Sequence, residues 1–435
     1  MEKTSDISRR PAINDAKITV RGIAVVILNW NGKGFLEKFL PALLNSVEHF
    51  NGQNAKTSAE VIVADNASTD GSMEMMAEKF PVVKTIVLDR NYGFTGGYNK
   101  AFEKIESEYF LLINSDIEVP EDWLTPLFRW MERHPDCGAC SPKLHSWQEK
   151  DMFEYAGAAG GLLDRFGYPF CRGRVMKRLE KDEGQYDTPA DVFWATGACL
   201  MIRSSLYLKL GGLDGRFFAH MEEIDLCWRA QLNGWKITVV PQSTVWHIGG
   251  GTLPQDSPWK LFLNFRNNLL MLDNNLARTC AIESLAGKGF AAYADDEATE
   301  ATGRADRGKE ADATNNNGRP GTEIPDITRL SRKAARKARR TIFTRMLLDG
   351  CSAMAYLLSF HPRYFLSVLK AHNEFRRLRK GISADEVRKY LESLSIIPAG
   401  SRTVQAAGSR PRHIEIRGLH KRWIIPEALF KTKND

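Results

Sequence analysis

Over the first 275 residues, short runs of apolar residues alternate with stretches of helical spacing, and each run ends abruptly in polar residues. Residues 23–28, I-A-V-V-I-L, have no alternation and are too short for a helix, so they read as a strand buried on both faces. They run into Asn29-Trp30-Asn31-Gly32, after which Phe35, Phe39, Leu40 and Leu43 repeat at helical spacing. The same unit recurs at residues 60–64 before Asp65, at 85–88 before the loop Arg90 to Asn99, and at 110–113 before Asn114-Ser115-Asp116. Strand, loop and helix in succession predict a Rossmann-like α/β fold, a mostly parallel sheet flanked by helices. In such sheets the ligand lies outside the carboxyl ends of the strands. Asn114 and Asp116, two apart, point the same way from an extended backbone at that edge.

Later segments are less regular. Residues 191–202 are apolar with Gly197 near the middle, as in a strand passing close to a ligand or another backbone. Phe217-Phe218-Ala219-His220-Met221 leads into Glu222, Glu223 and Asp225, three acids opening a helix with the stripe Ile224, Cys227, Trp228 and Leu232. The helix dipole accounts for one or two of those acids but not for the His and two aromatics before them. Val239-Val240 and Thr244 to His247 read as short strands, the second ending beside Gly249, Gly250 and Gly251; residues 262–272 read as an amphipathic helix with Arg266, Asn267 and Asn268.

The chemistry at the strand ends is open to two readings at each place. Asp65 is a turn residue or a ligand contact; Asp70 suits a helix cap; His247 is a structural histidine or, with an acid nearby, a metal ligand. Gly93, Gly96 and Gly97 let a loop backbone approach an anion closely. A dinucleotide fold would want G-x-G-x-x-G after the first strand, but Glu37 stands where the third glycine should be, which argues against hydride transfer. The seven cysteines form no disulfide framework, and Cys137-Gly-Ala-Cys140 has no second pair to complete a zinc site, so plain buried thiols are expected.

Taken in order, the segments V-V-I-L-N-W-N-G, V-I-V-A-D-N-A-S-T-D-G-S, N-Y-G-F-T-G-G-Y-N, L-L-I-N-S-D-I, T-G-A-C-L-M-I-R, G-G-L-D-G-R-F-F, E-E-I-D-L-C-W-R and V-W-H resemble the inverting glycosyltransferases of family 2, especially bacterial rhamnosyltransferase-like enzymes. The resemblance covers about residues 20–275. It implies a GT-A fold, Asp65 at the nucleotide base, Asp116 at the last position of the D-x-D metal motif, Glu223 as general base and His247 as a further metal ligand. Asn29, Asn31, Asn91, Gly93 and Asn114 would join the donor side, and Trp194, Gly197 and Glu222 the acceptor side. The implied cofactor is Mg²⁺ or Mn²⁺; the implied partners are a nucleoside diphosphate sugar and a glycan or lipid-linked acceptor for surface polysaccharide. Two departures stand out. N-S-D replaces D-x-D, leaving Asp116 the one carboxylate of the motif, and the base position is Glu rather than Asp, which changes reach more than chemistry.

Charge divides the chain. Residues 329–435 hold 24 Lys/Arg against 8 Asp/Glu, so their share of the overall +7 is +16 and the rest carries −9. We read residues 1–18 as a flexible N-terminus, 19–275 as the catalytic domain, 276–328 as a low-complexity linker, 329–380 as a basic amphipathic helical region and 381–435 as a basic tail. The helical region carries Phe343, Met346, Leu347, Met354, Leu357 and Leu358, then Phe365, Val368, Leu369 and Phe375, interrupted by charges that argue against a span. It therefore packs on the body or lies at an anionic membrane surface, and the charge favours the surface. The expected location is the cytoplasm, on the inner face of the cell membrane. Nucleic acid is not expected, because no exposed stacking aromatics accompany the charge. A nucleotide-sugar-binding protein without turnover is the other alternative.

Overall fold

The computed structural model describes residues 17–249, 257–294, 325–399 and 412–425. Residues 1–16, Gly250 and Gly251, most of the expected linker (295–324) and parts of the basic tail (400–411, 426–435) lie outside the described residues.

The first half follows the pattern: β1 (Gly22–Asn29), α1 (Lys33–Gln53), β2 (Ser58–Asp65), α2 (Ser72–Lys79), β3 (Lys84–Val87), α3 (Gly93–Glu103) and β4 (Tyr109–Ile113). Next come β5 (Ile117–Glu118), α4 (Leu124–Arg133), β6 (Cys137–Ser146), β7 (Ala190–Asp191), β8 (Cys199–Arg203), α5 (Ser204–Lys209), α6 (Glu222–Leu232), β9 (Lys236–His247) and α7 (Pro258–Ala286). The central sheet runs β7-β9-β6-β8-β4-β1-β2-β3, with β5 paired to β9. Strands β4, β1, β2 and β3 are parallel, while β8 runs antiparallel to both β4 and β6, so the sheet is mixed α/β and its parallel half carries Asn29, Asp65 and Asp116 at the carboxyl edge. Alternation along β1 explains the layers: Ile23, Val25 and Ile27 pack with Leu36, Leu40 and Leu43 of α1, and Ala24 and Val26 pack with Tyr98, Ala101 and Phe102 of α3. Each fully buried Val, Leu, Ile or Phe among them contributes about 1.5–3 kcal/mol.

Some boundaries differ from the sequence reading. The apolar stretch 191–202 is not one strand, because Thr196 turns the chain between β7 and β8; its hydroxyl donates to the Ala156 carbonyl at 2.5 Å and accepts from the Ala198 amide at 3.2 Å. The two short strands near His247 are one, β9, whose register shifts between Val239 and Thr244, around Pro241 with its missing amide. Ser257 caps α7 and proline occupies its first turn, and the helix continues through residue 275, where the sequence reading ended the catalytic domain.

Beyond α7 stand β10 (Phe290–Ala294), α8 (Ile327–Leu358), α9 (Pro362–Leu378), α10 (Ala384–Glu392), β11 (Leu394–Pro398) and β12 (Arg412–His413); the three strands form a separate small sheet. Helix α8 turns Leu330, Ala334, Ala335, Ala338 and Ile342 into the same core as Leu272, Leu276 and Ala281 of α7. Its buried stripe is thus mostly alanine, and Phe343, Leu347, Met354, Leu357 and Leu358 face outward. Arg345 fixes the docking: buried, it donates to Asp349 at 2.7 Å, to Asn268 of α7 at 2.6 Å and to the Phe166 carbonyl at 2.8 Å.

Candidate active site

Asn29, Asn31, Asp65, Asn91 and Gly93, expected on the donor side, lie together at the parallel edge. Asn29, fully buried at the end of β1, donates to Asp65 Oδ1 and to Ser68 Oγ, both at 3.0 Å, and the Ser68 amide donates to Asp65 Oδ2 at 2.9 Å. Each Asp65 oxygen thus keeps a second lone pair for a ligand. Asn31, in the left-handed region at φ 52°, accepts from the Thr69 amide at 2.7 Å. Asn91 accepts from Asn66 Nδ2 at 3.0 Å and from the Gly93 amide at 2.7 Å, which pins the glycine loop to the end of β2. Gly93 is required there: its φ is 71°, and a Cβ would stand 2.5 Å from the Phe218 ring.

Just after β4 the chain meets the end of β9. Asp116 and His247 are both buried, with Oδ1 and Nε2 3.2 Å apart, and Asn114 Nδ2 lies 3.4 Å from the same nitrogen. On the other side of the ring, Nδ1 lies 3.5 Å from Oε2 of buried Glu154. Burial works against charge on this imidazole, but the two carboxylates outweigh it and raise its pKa to about 10. A carboxylate oxygen and an imidazole nitrogen that converge in a buried pair suit Mn²⁺ or Mg²⁺. Among the described residues no three His, Cys, Asp or Glu side chains form a ready cage. A metal held here would therefore take the rest of its shell from phosphate oxygens and water.

The acid pair sits across one loop. The Asn114 amide donates to the Ala198 carbonyl at 2.9 Å, and a Cβ added at neighbouring Gly197 would stand 3.4 Å from both Glu223 Cβ and Phe94 Cζ. Gly197 therefore joins the end of β4, the glycine loop and the start of α6. Glu222 is buried, and burial followed by the nearby Glu223 charge pushes its carboxyl well above the usual range. Glu223 is partly exposed; burial raises it to about 7, with backbone amides at the helix start pulling against the rise. A carboxylate poised near neutrality has the strength a general base needs at physiological pH. His220, two residues earlier, is held neutral, burial and then Lys260 lowering it to about 4. Asp225 instead serves the fold, bonded to Arg229 at 2.7 Å and to Asn274 and Asn275 at 2.9 and 2.8 Å. Trp194 is a wall residue rather than an open contact: it is buried, and its indole donates to the Leu162 carbonyl at 3.0 Å.

The loop before the acids is held in an uncommon conformation. Phe218, His220 and Met221 have φ of 65°, 70° and 71°, each costing about 1–3 kcal/mol unless the surroundings enforce it. Asn267 of α7 enforces it, donating to the carbonyls of Phe217, Ala219 and His220 at 2.9, 2.7 and 2.8 Å. Neither Asn267 nor Glu154 was marked for the site by sequence. Asn267 lay in a helix read as amphipathic, and Glu154 lies in a loop with no periodic signal. The Cys137–Cys140 pair is buried and free, and burial raises both thiols, so it stands as packing.

Residues 24–210 match the family model described as glycosyl transferase family 2. The chain is 24% identical over 268 residues to N-acetylglucosaminyl-diphospho-decaprenol L-rhamnosyltransferase of Mycobacterium tuberculosis, covering 58% of this chain and 83% of that protein. It is 24% identical over 228 residues to rhamnosyltransferase WbbL of Escherichia coli, covering 50% of this chain and 80% of that one. Among solved structures, GalNAc-T7 with UDP, GalNAc and Mn²⁺ aligns with a TM-score of 0.45 at 16% identity, over 62% of this chain and 51% of that chain. Residues 24–210 thus carry the sequence features of the glycosyl transferase family 2 model, and over 50–58% of its length the chain is similar to two named rhamnosyltransferases.

Proposed function

We propose that the chain is a metal-dependent inverting glycosyltransferase that moves a sugar from a nucleoside diphosphate sugar to a hydroxyl of a glycan or lipid-linked acceptor in surface polysaccharide synthesis. The observation that carries this is the single loop, Gly197–Ala198, that touches Glu223 on one side and the chain leading to Asp116 on the other. Glu223 takes the proton from the acceptor hydroxyl, whose oxygen forms a bond to the anomeric carbon as the bond to the diphosphate breaks on the opposite face. Asp116 and His247 would hold Mg²⁺ or Mn²⁺, which when bound neutralises charge on the departing diphosphate. Asn29 and Asp65 would hold the base and ribose side, Asn31, Asn91, Gly93 and Asn114 would line the donor, and Gly197 and Glu222 the acceptor, with Trp194 supporting that loop. The name of the mycobacterial relative, which carries a diphospho-decaprenol, supports a lipid-linked acceptor. The basic surface of residues 329–380 supports work at the anionic inner face of the cell membrane.

A thermal-shift screen of the full chain against nucleoside diphosphate sugars tests the donor assignment. We expect a rise of several degrees for one donor family with Mn²⁺ and little with chelator. No shift with any donor would contradict it.

A further inference from the structure

Helices α8 and α9 form a hairpin that is covered on one side only. Ala334, Ala335, Ala338 and Ile342 of α8, and Val368, Ala371 and Phe375 of α9, are buried. On the outer side Phe343, Leu347, Met354, Leu357, Leu358, Phe360, Leu366 and Leu369 are exposed, rising to 76% for Leu358 and 92% for Phe360 at the turn. An apolar ridge of this size is rare on a surface meant for water alone.

The charge along the ridge is ordered. At about 100° per residue, Arg332, Arg336, Arg340, Phe343, Leu347, Met354 and Leu358 fall within roughly 80° of one another on α8. One stripe is therefore cationic in its first half and apolar toward the turn, and all three arginines are exposed. On α9, Arg363 and Lys370 flank Leu366 and Leu369, and all four are exposed. Residues 327–378 hold twelve Lys/Arg and two acids, Asp349 and Glu374. Asp349 is buried against Arg345, and Glu374 is paired with Arg377 at 2.5 Å. A second copy docking here would bring this positive face onto itself, whereas an anionic surface complements it. A cavity of about 420 Å³ between the helices, lined by Phe343, Met346, Leu347 and Phe375 with His372, Arg376 and Arg379, adds an apolar floor beside cations.

We propose that the α8–α9 turn inserts into an anionic phospholipid bilayer, Leu357, Leu358 and Phe360 entering the acyl boundary while the arginine row meets headgroup phosphates. This rests on the membrane-surface reading above and replaces a loose electrostatic tether by a fixed one. No described helix is long and apolar enough to cross a membrane, so the hairpin enters one leaflet. Because Arg345 bolts α8 to α7 and to the Phe166 loop, the insertion sets the orientation of the whole body.

The test is co-sedimentation of the full chain with vesicles of phosphatidylglycerol and phosphatidylethanolamine, or of phosphatidylcholine alone, in low and high salt. The wild type is expected to bind anionic vesicles and to keep a bound fraction in high salt. The pair Leu358→Asp and Phe360→Asp, both exposed and outside the site, should lose that fraction and bind at least tenfold more weakly, with unchanged melting and unchanged transfer to a water-soluble acceptor. A dye on Phe360→Cys, in a Cys351→Ser background, should shift to the blue on vesicles. If the Asp pair sediments like the wild type or the dye does not move, insertion is wrong while the electrostatic tether stands. If the wild type does not sediment, both fail. A dimer that the Asp pair abolishes would assign the ridge to a second copy instead.

Discussion

Glu222 and Glu223 share the first turn of α6, and burial separates what they do. Ionising Glu223 costs free energy until about pH 7, so transfer should rise with pH through that value. The linkage sign runs the other way for stability. Both carboxyls have folded values above the unfolded 4.5, so their contribution is full below that value and is lost as pH rises toward the raised ones. Glu222→Gln should therefore melt like the wild type at pH 5 and a few degrees higher at pH 8, as calorimetry would show; equal shifts at both would contradict the buried acid. Behind His247, Glu154 is placed to orient the ring. Glu154→Gln should weaken Mn²⁺ binding about tenfold, read by electron spin resonance, with the melting temperature little changed. The strand-end placement of Asp65 and Asp116 was legible in sequence because an apolar run that stops abruptly in polar residues marks both the strand and its edge. Glu154 was not, since its meeting with His247 depends on how a loop 93 residues away folds back.

At the scale of elements, helix α7 does more than its apolar spacing indicated. Its Asn267 collects three carbonyls from a loop with three residues in the left-handed region, and Arg266 shares the Phe217 carbonyl at 2.8 Å. Asn267→Ala should cost about 1–3 kcal/mol in urea denaturation and lower transfer by one to two orders of magnitude through misplaced Glu223. Asn267→Asp, which cannot donate, should do the same; an active aspartate variant would show that packing alone holds the loop. Of the four parallel strands, β1, β2 and β4 were readable because their apolar runs are buried on both faces, whereas β3, exposed but for Ile86, was read from its short apolar run alone. The break at Thr196 and the single strand β9 were not, because both depend on which backbone groups find partners across the sheet. For α8, the large apolar residues marked the expected buried face, yet helices packed closely bury the small ones.

For the whole molecule, the C-terminal helices are part of the folded body. Arg345 is buried with partners on α7, α8 and the Phe166 loop, and Asp349 has no exposure at all. Arg345→Ala should cost about 3–5 kcal/mol in chemical denaturation, because it takes the guanidinium from buried Asp349 and leaves His372, at 3.3 Å, beside that charge. Adding Asp349→Leu should recover much of that loss, and a single-variant effect near zero would mean the hairpin is not docked. In the proposed mechanism two carboxylates divide the labour, Asp116 for donor binding and Glu223 for chemistry. The direct measurement is nucleoside diphosphate affinity with Mn²⁺ by calorimetry, beside transfer rate, for Asp116→Asn and Glu223→Gln. Asp116→Asn is expected to lose affinity and transfer together, while Glu223→Gln keeps wild-type affinity and loses transfer by about two to four orders of magnitude. Equal losses of affinity and rate in Glu223→Gln, or metal-independent wild-type turnover in Asp116→Asn, would contradict it.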